Sequence, residues 1–328
     1  MRVLLTLILC LLALPVHAQC RGADVRSRLD AADLARLDAI VADTPFGTGI
    51  AWTARKAGRQ ITVIGTMHVF DPRIPPLAYA LQPTIAAADL LLVEAGPEEE
   101  ETMTRAMATD PSLMFLTDGP TLPDRLDEET WQALADAARA RGVPVILAAK
   151  MQPWYLAMTL SMPPCAMPDV MAGKRGLDAT LIEDALFARV PVQALEPWDT
   201  LFTVMAADPV EDQIEQLRLT ITDDALQAEM FGTMLDSYFA GKTAEVWELS
   251  RIMAENMPDI TPARGAALFQ SIEDSLLTTR NAAWISVIGT ASDTHPDVVV
   301  AVGAAHLPGK NGVLNLLAQD GWTLAPLD

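Results

Sequence analysis

The chain has 328 residues, 51% of them hydrophobic and 20% charged, with a formal net charge of -20. That length suffices for one large domain or two small ones around a sizeable core. The acidity argues against a nucleic-acid binder, which needs basic surface to neutralise phosphates, and against an anionic membrane as partner; it is read as a solubility feature.

The N-terminus has the pattern of an export signal. Arg2 is followed by an apolar run from Val3 to Pro15, and Val16-His17-Ala18 places small residues where a signal peptidase cuts, so residues 1–18 are expected to be removed. The run is too short to span a bilayer comfortably. Gln19 before Cys20 argues against lipid attachment, so no stable membrane anchor is expected after cleavage, and the expected location is periplasmic or secreted. Cys20 and Cys165 then form an even pair in an exported protein, which suggests a disulfide tying the N-terminal segment to the domain body; two separate thiols are the alternative.

Residues 19–44 are expected to form an N-terminal helical segment, because the stretch 24–42 spaces its apolar residues as a helix does. A β-hairpin follows, GIAWTARK and ITVIG around the turn AGRQ. From there apolar strand candidates alternate with helical patterns. The strands are 61–65, 90–95, 144–150, 191–196 and 298–306; the helices lie near 76–88, 98–109, 127–141 and 177–188. Several strand candidates are apolar without interruption, as strands buried on both faces are. The expected fold is α/β: a central, mostly parallel sheet flanked by helices, within one domain over residues 45–328. The stretch 199–285 carries helical periodicity, broken at Pro258 and Pro262, and is read as a helical insertion before the last strand, either a lid over a cleft or a structural layer.

Each strand candidate runs into an ionisable residue at its carboxyl end. ITVIGTM leads to His68, LLLV to Glu94, PVILAA to Lys150, PVQAL to Glu196 and VVVAVGAA to His306. Ligands of α/β sheets bind at that edge, where the loops converge. A charge at such depth costs several kcal/mol unless paired or metal-bound. The two histidines share a frame, Gly65-Thr66-Met67-His68 and Gly303-Ala304-Ala305-His306. Imidazole and carboxylate together suit a divalent ion such as Mn, Co or Zn, so His68, Glu94 and His306 are the candidate metal ligands. A metal-activated water would make the site hydrolytic, with Glu196 as a further ligand or general base and Lys150 or Arg280 stabilising an oxyanion. His295 is expected on the surface and the methionines in the core. No HExxH, GxSxG, P-loop or GxGxxG pattern competes.

These segments carry a resemblance. ITVIGTMHVFDP, LLVEA, KMQPWY, GLDATL, VQALEPWDTLF, the helix around Trp247, RNAAW and VAVGAAHLPGKNGVLNLLAQDGWTL are similar, in order and wording, to the TraB/GumN family, which includes the Tiki proteins. The resemblance covers roughly residues 45–328. It implies a metalloprotease-like site using Mn or Co, with His68, Glu94 and His306 on the metal. Arg280 and Asn281 match the family's RN pair, which brings a functional role for Arg280 level with a solvated or structural one. Similar sheets in erythromycin-esterase-like and haem-uptake-associated proteins leave other reactions open. The expected activity is an exported metal-dependent hydrolase acting on a peptide or a small ester or amide; the alternative is a metal- or haem-binding protein without turnover.

Overall fold

The computed structural model describes Cys20 and residues 22–218, 220–257 and 260–327. The expected signal segment and Pro258 lie outside them. Six strands form one sheet: β1 (Ala51–Lys56), β2 (Arg59–Thr66), β3 (Leu90–Val93), β4 (Val192–Ala194), β5 (Asp297–Gly303) and β6 (Thr323–Pro326), in the order β4-β3-β5-β2-β1-β6. β2, β5, β3 and β4 run parallel, and β1 pairs antiparallel with β2 and with β6. The β1–β2 turn places Ala57 and Gly58 at φ 50° and 81°, positive angles that suit the twist of a two-residue hairpin.

Period-two burial splits the core. Val298, Val300 and Val302 face Trp284 and Ile288 of the helix Thr279–Thr294 and Leu314 and Leu317 of the helix Val313–Gln319. Val299 and Ala301 face Ile74, Leu81 and Ile85 of the helix Ile74–Ala87 and Leu181 and Ala185 of the helix Leu177–Ala188. A third cluster, from Leu122 and Trp131 to Leu156 and Leu217, fills a helical lobe between β3 and the helices after β4. The N-terminal helix Ala31–Asp43, capped by the Asp30 carboxylate, lays Leu37 against Leu249 and Ile252. Cys20 and Cys165 are disulfide-bonded with Cα atoms 5.3 Å apart, which ties that segment to the lobe. Among the described residues, no helix is long and apolar enough to cross a membrane.

Two expectations are corrected. Residues 144–150 are not a strand: Val145–Ala148 is one helical turn following Pro144. Ile146 there is 74% exposed, so the apolar run faces no sheet. Short apolar runs do not separate strand from helix by pattern alone, and this one is rich in alanine. The region after β4 is helical as expected, but its helices continue to Thr294 and pack on the sheet, and a further edge strand, β6, follows β5. The stretch between β3 and β4 is equally helical.

Candidate functional site

Topology explains why distant segments meet. β5 inserts between β2 and β3, so its carboxyl end stands beside both. Thr66 pairs with Gly303, and Val93 pairs with Ala301 on one side and Ala194 on the other. Within three residues of these strand ends come His68, His306, Glu94 and Glu196, and they share one edge.

His68 Nε2 and His306 Nε2 stand 3.9 Å and 3.8 Å from the same oxygen, Oε1 of Glu94. That oxygen also accepts the Gly303 N–H at 2.7 Å. A Cβ on Gly303 would come within 3.2 Å of His68 Nε2, 3.3 Å of Glu94 Oε1 and 3.5 Å of His306 Cδ2. The absent side chain therefore leaves the space between the three donors open. The other Glu94 oxygen accepts from Arg280 Nη2 at 2.7 Å.

Arg280 holds the rear of the site. Its Nε and Nη2 donate to the two oxygens of Glu196 at 3.0 Å and 2.6 Å, its Nη1 donates to Leu276 O at 3.1 Å, and its plane lies over Trp284. Trp284 Nε1 also donates to Glu196 at 2.9 Å. Both Glu196 oxygens are thus engaged with Arg280 and Trp284. Leu276 belongs to a π-helical turn, Asp274–Thr278, just ahead of Arg280. Such single-turn bulges recur at functional sites because they re-aim the residues that follow.

The two histidines are held differently. His306 is buried, and its Nδ1 lies 2.6 Å from Asn281 Oδ1. The Asn281 amide nitrogen donates to Asn311 O at 2.9 Å, which fixes the amide so that its oxygen accepts the Nδ1 proton and Nε2 is left bare. His68 lies on the open side, 61% exposed, with Nδ1 3.4 Å from Asp178 Oδ2. Its loop is pinned from behind by Tyr238, whose hydroxyl donates to Gly65 O at 2.9 Å. Burial pushes His306 down to about 4. For His68, partial loss of water at the site's edge pushes downward but is outweighed by the Asp178 hydrogen bond and the charges of Glu94 and Asp178, which raise it to about 9. Burial alone would raise Glu94; the surrounding charges of His306, His68 and Arg280 outweigh it and hold the carboxyl at about 2.

A cavity of about 910 Å³ opens from His68 and Asp178 past Phe70, Met162, Phe231 and the disulfide. Lys150 does not end a strand. It is exposed at the end of its helical turn, where its carbonyl accepts from Leu116, and no strand carries it to the sheet edge. His295 sits at the end of its helix against Ala291 and Thr294, away from the cluster. Asp178 and Tyr238 were not singled out as site residues, since neither follows a strand; the hints for Asp178 are its place in the family-like GLDATL segment and just after Gly176 at a helix start.

The donors fit a divalent ion in kind: two imidazole nitrogens, one of them without its proton, and an ionised carboxylate around an open space. Among the described residues, no group of three or more His, Cys, Asp or Glu is drawn in to the spacing of a formed metal centre. Tetrahedral ligation would bring the donors to about 3.4 Å from one another, a small closure from the distances observed.

A six-stranded α/β sheet with two GxxH turns meeting a glutamate at its carboxyl edge defines the class. The TraB/PrgY/gumN family model matches residues 50–326, and the chain belongs to that family. It is also 26% identical over 264 residues to the Escherichia coli K12 protein described as uncharacterized protein YbaP, covering 79% of this chain and 88% of that one. The Shigella flexneri protein of the same description matches with the same identity and coverage.

Proposed function

We propose that this chain is an exported metal-dependent hydrolase acting on peptides, with His68, Glu94 and His306 holding one divalent cation, Mn, Co or Zn. The observation that carries the reading is the convergence of both Nε2 atoms on one Glu94 oxygen, across the space that Gly303 leaves open. A cation bound there would acidify a water and polarise a carbonyl next to it.

The chain's own residues prepare the place. Glu94 and Glu196 share one guanidinium, and a cation bound between the histidines would take the place of the His68 proton beside Glu94. Arg280 occupies one Glu94 oxygen and leaves the other turned to the histidines. Asn281 keeps His306 in the form with a bare Nε2. The cavity beside His68, partly apolar and wide enough for a short stretch of peptide, gives substrate access from one side.

The test is elemental analysis of gently purified protein together with digestion of peptide and ester libraries after metal loading. Cleavage that depends on added metal and disappears in His68→Ala and His306→Ala, with the far-ultraviolet spectrum unchanged, is the expected result. Folded, metal-loaded protein that is inert against both libraries contradicts the hydrolase reading.

A further inference from the structure

The two GxxH histidines present the same nitrogen to Glu94, yet the groups behind them differ in kind. Behind His306 stands a neutral amide, Asn281. Behind His68 stands a carboxylate, Asp178, 3.4 Å from Nδ1.

The approach of Asp178 is built into the backbone. It is the second residue of the helix Leu177–Ala188, which begins at Gly176 without a side-chain cap. The first amide of that helix, Leu177 N–H, donates to Met67 O at 2.8 Å, so the helix start is fastened to the first GxxH turn. Only glycine allows this: a Cβ on Gly176 would fall 2.1 Å from Met67 O and 2.4 Å from the carbonyl carbon of His68. A backbone clash of that size does not relax by side-chain movement. Asp178 Oδ1 is buried with no hydrogen-bond partner, while Oδ2 faces His68. Both residues line the same cavity.

We propose that Asp178 is the positioning residue of His68: its carboxylate accepts the Nδ1–H, fixes the ring, and leaves Nε2, turned toward Glu94, as the nitrogen that gives up its proton to a bound cation. The inference rests on the metal-site reading given above. It assigns the two histidines unequal roles. An anionic partner makes a ligating imidazole a stronger donor than an amide does. The open, carboxylate-backed His68 is therefore the ligand that tunes the site, and the buried, amide-backed His306 is its fixed corner. A purely structural Asp178 would do no more than place an acid in the first turn of a helix.

Two readouts separate these possibilities. The first is nitrogen NMR of the imidazoles in metal-free protein at pH 10. His68 is expected as the Nδ1–H form in the wild type and to lose that preference in Asp178→Asn. The second is titration with Zn2+ alone. Asp178→Asn is expected to weaken binding 10–100-fold, Asp178→Glu to recover part of the loss, and Asp178→Asn to add nothing on a His68→Ala background. An unchanged His68 spectrum together with unchanged Zn2+ affinity in Asp178→Asn overturns the proposal. If the wild type itself binds no Zn2+, the metal reading fails, and the NMR result alone decides whether Asp178 positions His68.

Discussion

At the scale of single residues, the site is a set of charges that only make sense together. His306 is neutral because it is buried against an amide, and His68 is drawn toward its charged form by two carboxylates. These shifts set a pH profile for the metal-free protein. His306 has a folded value near 4, below its ordinary 6.5, so its contribution is complete above 6.5 and fades as pH falls toward 4. Glu94, lowered from 4.5 to about 2, adds a second loss in the range below 4.5. His68, raised from 6.5 to about 9, contributes fully below 6.5 and loses that contribution as pH rises through 9, a shallower limb because the ring is open to solvent. Urea midpoints measured from pH 3 to pH 10 are expected to peak near pH 6.5. A midpoint that keeps rising past pH 9 contradicts the assignment of His68. Metal binding must displace the His68 proton, so affinity for Zn2+ is expected to climb about tenfold per pH unit up to about 9.

Glu196 makes a prediction of the opposite sort. It is bound by Arg280 through two hydrogen bonds and by Trp284 through a third, all out of solvent. Replacing it with glutamine leaves the Arg280 guanidinium short of a counter-charge. Glu196→Gln is expected to destabilise the fold by about 1–3 kcal/mol. A loss below about 0.5 kcal/mol in urea unfolding would mean that Glu196 is not the anchor of Arg280.

Elements explain what could be read in advance and what could not. β2, β3 and β5 were legible because buried parallel strands are continuous apolar runs, and the ionisable residue that ends such a run must have a reason to be there. His68, Glu94 and His306 follow from that logic and do converge. Lys150 followed from the same logic but ends no strand, because Val145–Ala148 satisfies its backbone as a helical turn, and alternation is no guide over so few residues. Asp178 and Tyr238 reach the site from helices, through tertiary packing of Gly176 and Gly65 that no local pattern encodes.

Gly303 tests the element-level geometry. It lies at φ -49° and ψ 136°, angles open to any residue, so Gly303→Ala strains no backbone. The added methyl would stand among the three donors at 3.2–3.5 Å. Gly303→Ala is expected to keep stability within about 1 kcal/mol of the wild type and to lower Zn2+ affinity at least tenfold. Unchanged affinity would place the cation elsewhere.

At the scale of the whole molecule, the sheet is a platform whose open edge is walled by helices from both long excursions, and the N-terminal segment is fastened to that wall by Cys20–Cys165. The disulfide spans 145 residues, and closing so long a loop restricts the unfolded chain strongly. Reduction, or Cys165→Ala, is expected to lower unfolding free energy by about 2–5 kcal/mol. A change under 1 kcal/mol by calorimetry would mean that the segment's packing of Val25 and Leu37 holds without the bond.

The most direct measurement is an anomalous-scattering map from crystals soaked in Mn2+ or Zn2+. One peak is expected within about 2.0–2.3 Å of His68 Nε2, His306 Nε2 and Glu94 Oε1. Saturating metal with no peak among those three atoms, or with the ion held by other residues, contradicts the account.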